Sequence, residues 1–292
     1  MRVGRKRAHI TELRNRLLVG KLNTALRVRQ RIGKYRIEKR LGEGGFARVY
    51  QAMDTIQGIR VALKVPHAPY VTEEVLTEFR REARTASKLE HDNILSIKDA
   101  SFIDDRFVIV FPLGDRTLDD RMKHRMSTEV ALNIIAQILE AVAYAHEQHI
   151  IHCDIKPENV ILFSDGRARL TDFGIAKVAQ NTIRGSGTGT VGFMAPEQAM
   201  GKPSQRSDVF STGLLMYRML AGEWLEWPFE WKGAGYKRLR SRVHEDLIAI
   251  IRKATELDPR HRYRDGMSLL RAFERSRPKV LRYIERKRKR AA

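Results

Sequence analysis

Cysteine and long apolar runs are what this sequence of 292 residues lacks most. Its single cysteine excludes a framework of intrachain disulfides and is typical of a reducing compartment. No apolar run approaches the roughly 20 residues that a membrane-spanning helix needs, and residues 1–17 lack the apolar core of a signal peptide. We therefore expect a soluble, cytoplasmic protein with neither a signal peptide nor a transmembrane segment.

A balance of positive and negative charge is also missing, and the imbalance lies at the two ends of the chain. The formal net charge is +20. Residues 1–40 carry 14 Lys and Arg against two Glu, and residues 271–292 carry 10 against two, so that residues 41–270 sum to zero. Such basic flanks predict binding to nucleic acid, to an anionic membrane surface or to an acidic protein, and the sequence does not choose among these partners.

The two flanks differ in apolar content. In the N-terminal extension, residues 1–34, apolar residues recur at nearly helical spacing between arginines, at Ile10, Leu13, Leu17, Leu18, Leu22 and Leu26. This pattern predicts a basic amphipathic helix, which could lie on its own domain, on a partner or on a membrane. The C-terminal flank, residues 276–292, ends in ERKRKRAA without an apolar residue larger than alanine, which predicts a disordered basic tail.

Residues 152–174 read HCDIKPENVILFSDGRARLTDFG and place two acids, a lysine and an amide within one short segment. Asp154 could orient a hydroxyl group and accept its proton, and Lys156 could stabilise charge on a group in transfer. Asn159 and Asp172 offer the hard oxygen ligands that Mg²⁺ prefers. Phosphoryl transfer from ATP needs these parts: a positioned hydroxyl, a held nucleotide and neutralised phosphate charge.

Two segments nearer the N-terminus supply the features of a nucleotide-binding site. The stretch LGEGGFARVY begins at Leu41, and its Gly42 and Gly44 let backbone amides approach phosphate oxygens closely. The strand-like VALK follows and ends at Lys64, which is placed to reach the α and β phosphates. Glu82 lies eighteen residues later in a helix-like stretch, from which it could pair with Lys64.

The motifs continue downstream in a recognisable order. Ala195-Pro196-Glu197 closes the segment that DFG opens, and Asp208 and Arg262 follow. In this order and at these spacings the chain resembles the eukaryotic-like protein kinase family, in its serine/threonine branch and bacterial style. The resemblance runs from about Tyr35 to about Phe273, which is nearly the whole sequence.

The resemblance implies the fold and its division. We expect an α+β protein kinase fold with two lobes in a domain of residues 35–275. The small β-rich N-lobe would comprise residues 35–111, and the larger helical C-lobe residues 112–275. Residues 276–292 would follow as the basic tail.

The resemblance also implies a role for each motif residue. Lys64 and Glu82 would form the activating ion pair, and Thr190 would meet Asp154 and Lys156 to seat the acceptor hydroxyl. Asn159 and Asp172 would bind the metal ion, which would be Mg²⁺ or, as an alternative, Mn²⁺. The residues around the nucleotide would be Leu41, Gly42, Gly44, Val49, Ala62, Lys64, the gatekeeper Val110, Phe111, Leu113, Asn159 and Asp172.

Three further residues would support the catalytic loop according to the same resemblance. Glu197 would pair with Arg262, and Asp208 would hydrogen-bond the backbone of the loop. Cys153 stands where the family usually carries an arginine that binds phosphate on the activation loop. Its presence implies an enzyme whose activation does not depend on that contact.

The predicted function is that of an ATP-dependent serine/threonine protein kinase, which transfers the γ-phosphoryl group of Mg-ATP to protein hydroxyls and phosphorylates itself. A pseudokinase scaffold and a small-molecule phosphotransferase are the alternatives. Lys64, Asp154 and Asp172 are all present, whereas pseudokinases commonly lose one of them. Small-molecule relatives usually lack the APE segment and the glycine loop, and both occur here. The sequence indicates no oligomeric state.

Two further local patterns occur in the sequence. Ser127 is a predicted N-cap for a helix whose apolar stripe, from Ala131 to Val142, would form the core of the larger lobe. All three tryptophans fall between Trp224 and Trp231. Their clustering is compatible with local packing or with a docking surface.

Overall fold

The computed structural model describes residues 25–44, 47–67, 77, 80, 83–84, 87–173, 191–226, 228–229, 231 and 235–291. The predicted N-terminal amphipathic helix lies outside these residues except for its last apolar position, Leu26. The chain divides into two compact units. One unit comprises residues 1–84 and 97–113, and the other comprises residues 85–96 and 114–292.

The first unit is built on an antiparallel sheet whose alternating apolar residues form its core. Along one strand Val61, Leu63 and Val65 are buried, and they cluster with Tyr50 and Val110 of the neighbouring strands. Burial of each such side chain contributes about 1.5–3 kcal/mol. In its described residues the sheet has the order β1-β2-β3-β4-β6-β5, formed by β1 (Arg31–Ile32), β2 (Tyr35–Glu43), β3 (Ala47–Asp54), β4 (Ile59–Pro66), β5 (Asp99–Ile103) and β6 (Arg106–Pro112).

This unit begins before the domain boundary predicted at Tyr35. Leu26 is buried in the same cluster, and its backbone N–H donates to the Tyr50 hydroxyl at 3.1 Å. Ile32 in β1 is also buried, and β1 pairs with β2. Apolar residues before Tyr35 therefore pack with the sheet that the motif-bearing strands form.

The second unit is mainly helical and carries a small sheet of order β7-β8-β9. Its strands in the described residues are β7 (Arg116–Thr117), β8 (Val160–Leu162) and β9 (Ala168–Leu170). Its helices in the same residues are α1 (Leu118–Met122), α2 (Thr128–Glu147), α3 (Pro196–Ala199), α4 (Gln205–Ala221), α5 (Tyr236–Arg242), α6 (Glu245–Ala254) and α7 (Gly266–Ala291).

Helix α2 is the central core helix of this unit. Ser127 caps it as predicted, because the Ser127 hydroxyl accepts from the Val130 N–H at 3.2 Å, a contact that typically contributes about 1 kcal/mol. The length and apolar content of α2 would suffice to cross a membrane, yet 67% of its most apolar window is buried inside the protein. The helix is apolar because it is packed on several sides within this unit.

Helix α4 approaches α6 closely, and a glycine makes the approach possible. A Cβ on Gly213 would lie 2.8 Å from the side chains of Ala254 and Thr255. That distance is shorter than any normal carbon contact, so a side chain at this position would force the helices apart. Ser204 starts α4 with a capping box formed with Ser207.

The prediction of a disordered C-terminal tail is wrong, since α7 continues to Ala291. Val280 on α7 is fully buried, and Ile284 packs against the same core. The Lys287 ammonium donates to the Ser241 carbonyl at 2.7 Å, which attaches the basic end of α7 to the end of α5. Two apolar residues four positions apart therefore anchor a helix that carries five consecutive basic residues, 286–290, near its end.

Two of the three tryptophans pack against the core of the second unit. Trp224 meets Phe193 edge to face with a ring separation of 4.4 Å, and Trp231 meets Tyr217 at 5.5 Å. The third, Trp227, lies outside the described residues. These contacts support the interpretation of local packing.

Replacement of Val280 by Ala tests whether the basic end of the chain is a packed helix. We expect Val280→Ala to lower the free energy of unfolding by about 1.5–3 kcal/mol, because two buried methyl groups are lost and a cavity remains. Leu281→Ala is the matched control, since Leu281 is 41% exposed, and it should change stability by less than about 0.5 kcal/mol. Equal, negligible effects in denaturant unfolding would contradict the packed helix.

Candidate active site

Cross-strand pairing places several of the predicted nucleotide-binding residues on one face of the first unit's sheet. Gly42 pairs with Val49, and Val49 pairs with Lys64. Ala62 lies two residues from Lys64 and pairs with Phe111 on β6. Opposed residues, and residues two apart on a strand, share a face. The strands therefore align Gly42, Val49, Ala62, Lys64 and Phe111.

Val110 lies on the other face of this sheet. It pairs with Leu63 and belongs to the hydrophobic cluster with Tyr50. The structure thus does not bring the predicted gatekeeper side chain together with Lys64 and its neighbours. Leu113 follows the end of β6 and is half-buried, and Leu41 on β2 is exposed.

The glycine turn leaves open space beside its backbone. A Cβ on Gly42 would meet no atom within 4 Å, and the nearest atom to one on Gly44 would be the Ala47 carbonyl oxygen at 3.8 Å. The Gly44 N–H donates to that oxygen at 2.9 Å and closes the turn between β2 and β3. Lys64 is buried. Its predicted partner Glu82 lies outside the described residues, so the ion pair stays a prediction.

In the second unit, the loop before β8 brings together two predicted catalytic residues, Asp154 and Lys156, and the predicted metal ligand Asn159. The Asn159 amide donates from Nδ2 to the Asp154 carbonyl at 2.8 Å and to Asp154 Oδ2 at 2.9 Å. The Lys156 ammonium lies 2.9 Å from the same Oδ2. Both side chains therefore contact one oxygen of Asp154, and Oδ1 is left outside these contacts. The Asp154 side chain is 36% exposed.

Two residues of this region adopt the left-handed backbone conformation that favours glycine. Cys153 has φ +65°, directly before Asp154, and Asp172 has φ +68°. Such conformations cost about 1–3 kcal/mol each when the residue is not glycine, and they persist where the surroundings hold them. Hydrogen bonds to the N–H and to the carbonyl of Cys153 hold this conformation.

The buried carboxylate of Asp208, at the start of α4, binds the backbone of this loop as predicted. Its Oδ2 accepts from the His152 N–H at 2.7 Å, and its Oδ1 accepts from the Cys153 N–H at 2.8 Å. The His146 ring on α2 donates from Nε2 to Oδ2 at 2.9 Å. Asp208 is 1% exposed. Three charge-assisted hydrogen bonds therefore stabilise a carboxylate that burial alone would disfavour.

Contacts with the backbone determine which ring nitrogen carries the hydrogen in His146 and in His152. The Gly266 N–H donates to His146 Nδ1 at 2.8 Å, so that Nε2 carries the hydrogen given to Asp208. The Asp154 N–H donates to His152 Nδ1 at 3.2 Å. His152 Nε2 therefore donates to the Thr171 carbonyl at 2.8 Å, which ties the Asp154 loop to the residue before Asp172.

Gln198 on α3 binds the backbone carbonyl of Cys153. Its side-chain amide donates to the Cys153 carbonyl at 2.6 Å, while Asp208 accepts from the Cys153 N–H. The Cys153 residue is itself buried. Its strained conformation is thus fixed by partners from two helices.

Glu197 and Arg262 form the predicted buried ion pair. Arg262 donates to both oxygens of the Glu197 carboxylate, at 2.7 and 3.1 Å. Its remaining N–H groups donate to the carbonyls of Glu256, Arg206 and Leu257. All five guanidinium donors are therefore used, and the Ser207 hydroxyl adds a bond to Glu197 at 2.7 Å.

Sequence reasoning missed His146 and Gln198. His146 occurs four residues after Val142 on the apolar stripe of α2, and a polar residue on a buried face was the available signal. Gln198 directly follows the APE motif, and no sequence pattern around it indicates a role. Thr190, predicted to meet Asp154 and Lys156, lies outside the described residues.

Three comparisons relate this chain to known proteins. The family model of the protein kinase domain matches residues 35–271. The serine/threonine-protein kinase PrkC of Bacillus subtilis is 36% identical over 252 residues, which are 79% of this chain and 38% of that protein. The probable serine/threonine-protein kinase PknB of Lactococcus lactis is 34% identical over 254 residues, 80% of this chain and 40% of that protein. The chain therefore spans about two fifths of the length of these relatives.

The solved structures point to the same fold. The PknI kinase domain of Mycobacterium tuberculosis covers 86% of this chain and 99% of its own, with a TM-score of 0.67 and 24% identity. At that identity the likeness establishes the fold alone.

The Glu197–Arg262 pair allows a stability test. We expect Arg262→Met to destabilise the protein by about 3–5 kcal/mol, because a buried carboxylate and three carbonyls lose their donor. Lys123→Met is the control, since Lys123 pairs with Asp119 and Asp120 at the surface and is 62% exposed, and it should cost less than about 1 kcal/mol. Denaturant unfolding measures the stability of both variants. Small and similar losses of stability in the two would contradict a large contribution of the buried Glu197–Arg262 pair.

Proposed function

The chain belongs to the protein kinase family, and from this premise we propose that it transfers the γ-phosphoryl group of Mg-ATP to serine and threonine hydroxyls of proteins. The observation that carries the proposal is the arrangement at Asp154. Lys156 and Asn159 both contact Oδ2 of its carboxylate. Its Oδ1 is outside those contacts on a partly exposed side chain, as an acceptor for a substrate hydroxyl requires.

Asp154 acts in this proposal through its Oδ1 atom. The substrate hydroxyl donates its hydrogen to Oδ1, which aims the hydroxyl oxygen at the γ-phosphorus. As the new O–P bond forms and the bond to the β-phosphate oxygen breaks, the proton passes to the carboxylate. Lys156 stays beside Oδ2, where its positive charge offsets the charge on the phosphoryl group in transfer.

Members of this family use ATP and a divalent metal ion, and the donor set of this chain fits such an ion. Asn159 makes its two bonds to Asp154 through Nδ2, so that its Oδ1 is not used by that pair. Asp172 supplies a carboxylate, and the two together would hold Mg²⁺. The metal, when bound, neutralises charge on the phosphates.

The aligned face of the first unit's sheet would hold the nucleotide. Gly42 and Gly44 would let the turn approach the phosphates closely, since open space lies beside their backbone, and Lys64 would bind the phosphates with its ammonium. Val49 and Ala62, with Phe111 and Leu113, would contact the adenine. Glu82 pairs with Lys64 in this proposal, and Thr190 with Asp154 and Lys156.

Mass measurement with an acceptor protein tests this function. We expect purified protein with ATP and Mg²⁺ to add phosphate to casein or to itself, and Asp154→Ala to lower the rate at least about a hundredfold, because the hydroxyl loses its base. Removal of the divalent metal with EDTA should abolish transfer. Asp165→Ala is the control, since Asp165 is a 47% exposed acid in the turn between β8 and β9.

A parent protein that binds ATP without adding phosphate to casein or to itself would favour a pseudokinase or a small-molecule phosphotransferase. An Asp154→Ala variant as active as Asp165→Ala would refute the role of Asp154.

A further inference from the structure

A basic recess lies on the second unit where α5, the start of α6 and the later half of α7 meet. Its volume is about 530 Å³, which falls in the range of ligand sites, roughly 300–1,000 Å³. Val243 and Ile248 line its apolar part together with the rings of His244 and Tyr283. Four cations complete the lining, namely Arg240, Lys279, Arg282 and Arg286, against the single acid Glu245.

Three of these cations have no acidic partner within the described part of the chain. Lys279 pairs with Asp246 at 2.9 Å, and this contact lowers the pKa of the Asp246 carboxyl. Arg240, Arg282 and Arg286 form no ion pair with any described residue. Uncompensated guanidinium groups around one recess form a site for several anionic groups at once.

The walls of the recess are held by contacts between the helices. The Tyr283 hydroxyl donates to the Arg240 carbonyl at 3.4 Å, and the Lys287 ammonium donates to the Ser241 carbonyl at 2.7 Å. These bonds join α7 to α5 on one side, and the Lys279–Asp246 pair joins α7 to α6 on the other. The helices that carry the cations are therefore joined to one another at the recess.

The cations of α7 lie in a row. Lys279, Arg282 and Arg286 are separated by three and four residues and so share one helix face. They extend over about 10 Å at 1.5 Å per residue, so that successive phosphates of one extended strand could reach them. Beyond the row lie Lys289, which pairs with Glu285 at 2.9 Å, and Arg290 at the end of the helix. The form of the row suits an extended polyanion.

The surroundings of the row favour a nucleic-acid strand over a membrane or an acidic peptide. A basic helix that binds a membrane exposes an apolar face to the lipid, but Val280 and Ile284 are turned into the protein. Leu281 is the one large apolar residue strongly exposed on the later half of α7. The Tyr283 and His244 rings line the recess beside the cations, and aromatic rings of this kind stack on bases.

We propose that this basic recess binds single-stranded nucleic acid through its phosphates at Arg240, Arg282 and Arg286, with Tyr283 against a base. The site is separate from the catalytic loop, so binding needs neither ATP nor phosphoryl transfer.

The test measures fluorescence anisotropy of a labelled 20-nucleotide oligo-dT with the full chain, without ATP. We expect Arg282→Gln with Arg286→Gln to weaken binding at least tenfold at about 150 mM salt. The slope of log affinity against log salt should fall by about 1.4, since each lost phosphate contact on a single strand contributes about 0.7. Arg271→Gln with Arg275→Gln is the matched control, because both arginines are exposed on α7 outside the recess, and it should stay within about twofold of the parent.

Tyr283→Leu separates stacking from charge. It should weaken binding about fivefold or more without a change in salt slope. Equal effects of the two arginine pairs would overturn the site. Displacement of oligo-dT by poly-glutamate at equal charge concentration would assign the recess to acidic peptides instead. Binding to phosphatidylserine vesicles that depends on Arg282 and Arg286, with no binding of oligo-dT, would assign it to membranes.

Discussion

The carboxylate of Asp208 is the contact on which the catalytic loop depends. It is buried and receives the N–H groups of His152 and Cys153 together with the ring of His146. Without it, two backbone donors inside the protein would lose their acceptor, at about 1–3 kcal/mol each. The same contacts hold Cys153 in its left-handed conformation, and that conformation determines where Asp154 points.

The carboxylate is itself positioned by the helices around it. A Cβ on Gly266 would lie 2.8 Å from the Ala143 nitrogen, so glycine permits the close approach in which the Gly266 N–H reaches His146. The buried Glu197–Arg262 pair joins α3 to the loop before α7, and Gln198 extends from α3 to Cys153. Four helices therefore converge on the geometry of one loop. The proposed phosphoryl transfer requires this rigidity, because it depends on the alignment of a hydroxyl with a phosphate.

Much of this arrangement follows from the sequence. The order of the motifs predicted the α+β kinase fold, with a β-rich and a helical unit, and the fold is confirmed. Asp208 and Arg262 were predicted as supports and lie where expected. Val110 was placed with the nucleotide-binding residues, but strand register turns it to the core. His146 and Gln198 could not be found, because their partners are distant in sequence and meet them only in the folded unit.

At the C-terminal flank, too, contacts in the folded unit determine what composition alone does not predict. The last eight residues alone predict a disordered tail. The segment is helical because Val280 and Ile284, which precede those residues, pack against the core. Net charge predicts a polyanion partner, but only the fold distinguishes Lys279, which pairs with Asp246, from Arg282 and Arg286, which form no ion pair within the described part of the chain. The roles of Glu82 and Thr190 stay predictions of the resemblance.

The most direct measurement is the steady-state kinetics of Asp208→Asn, which keeps the shape of the side chain and replaces one acceptor oxygen by a donor amide. With cooperative unfolding retained, kcat should fall at least about a hundredfold, while KM for ATP stays within about twofold. A folded Asp208→Asn variant with kcat near that of the parent would contradict the claim that this carboxylate positions the catalytic loop.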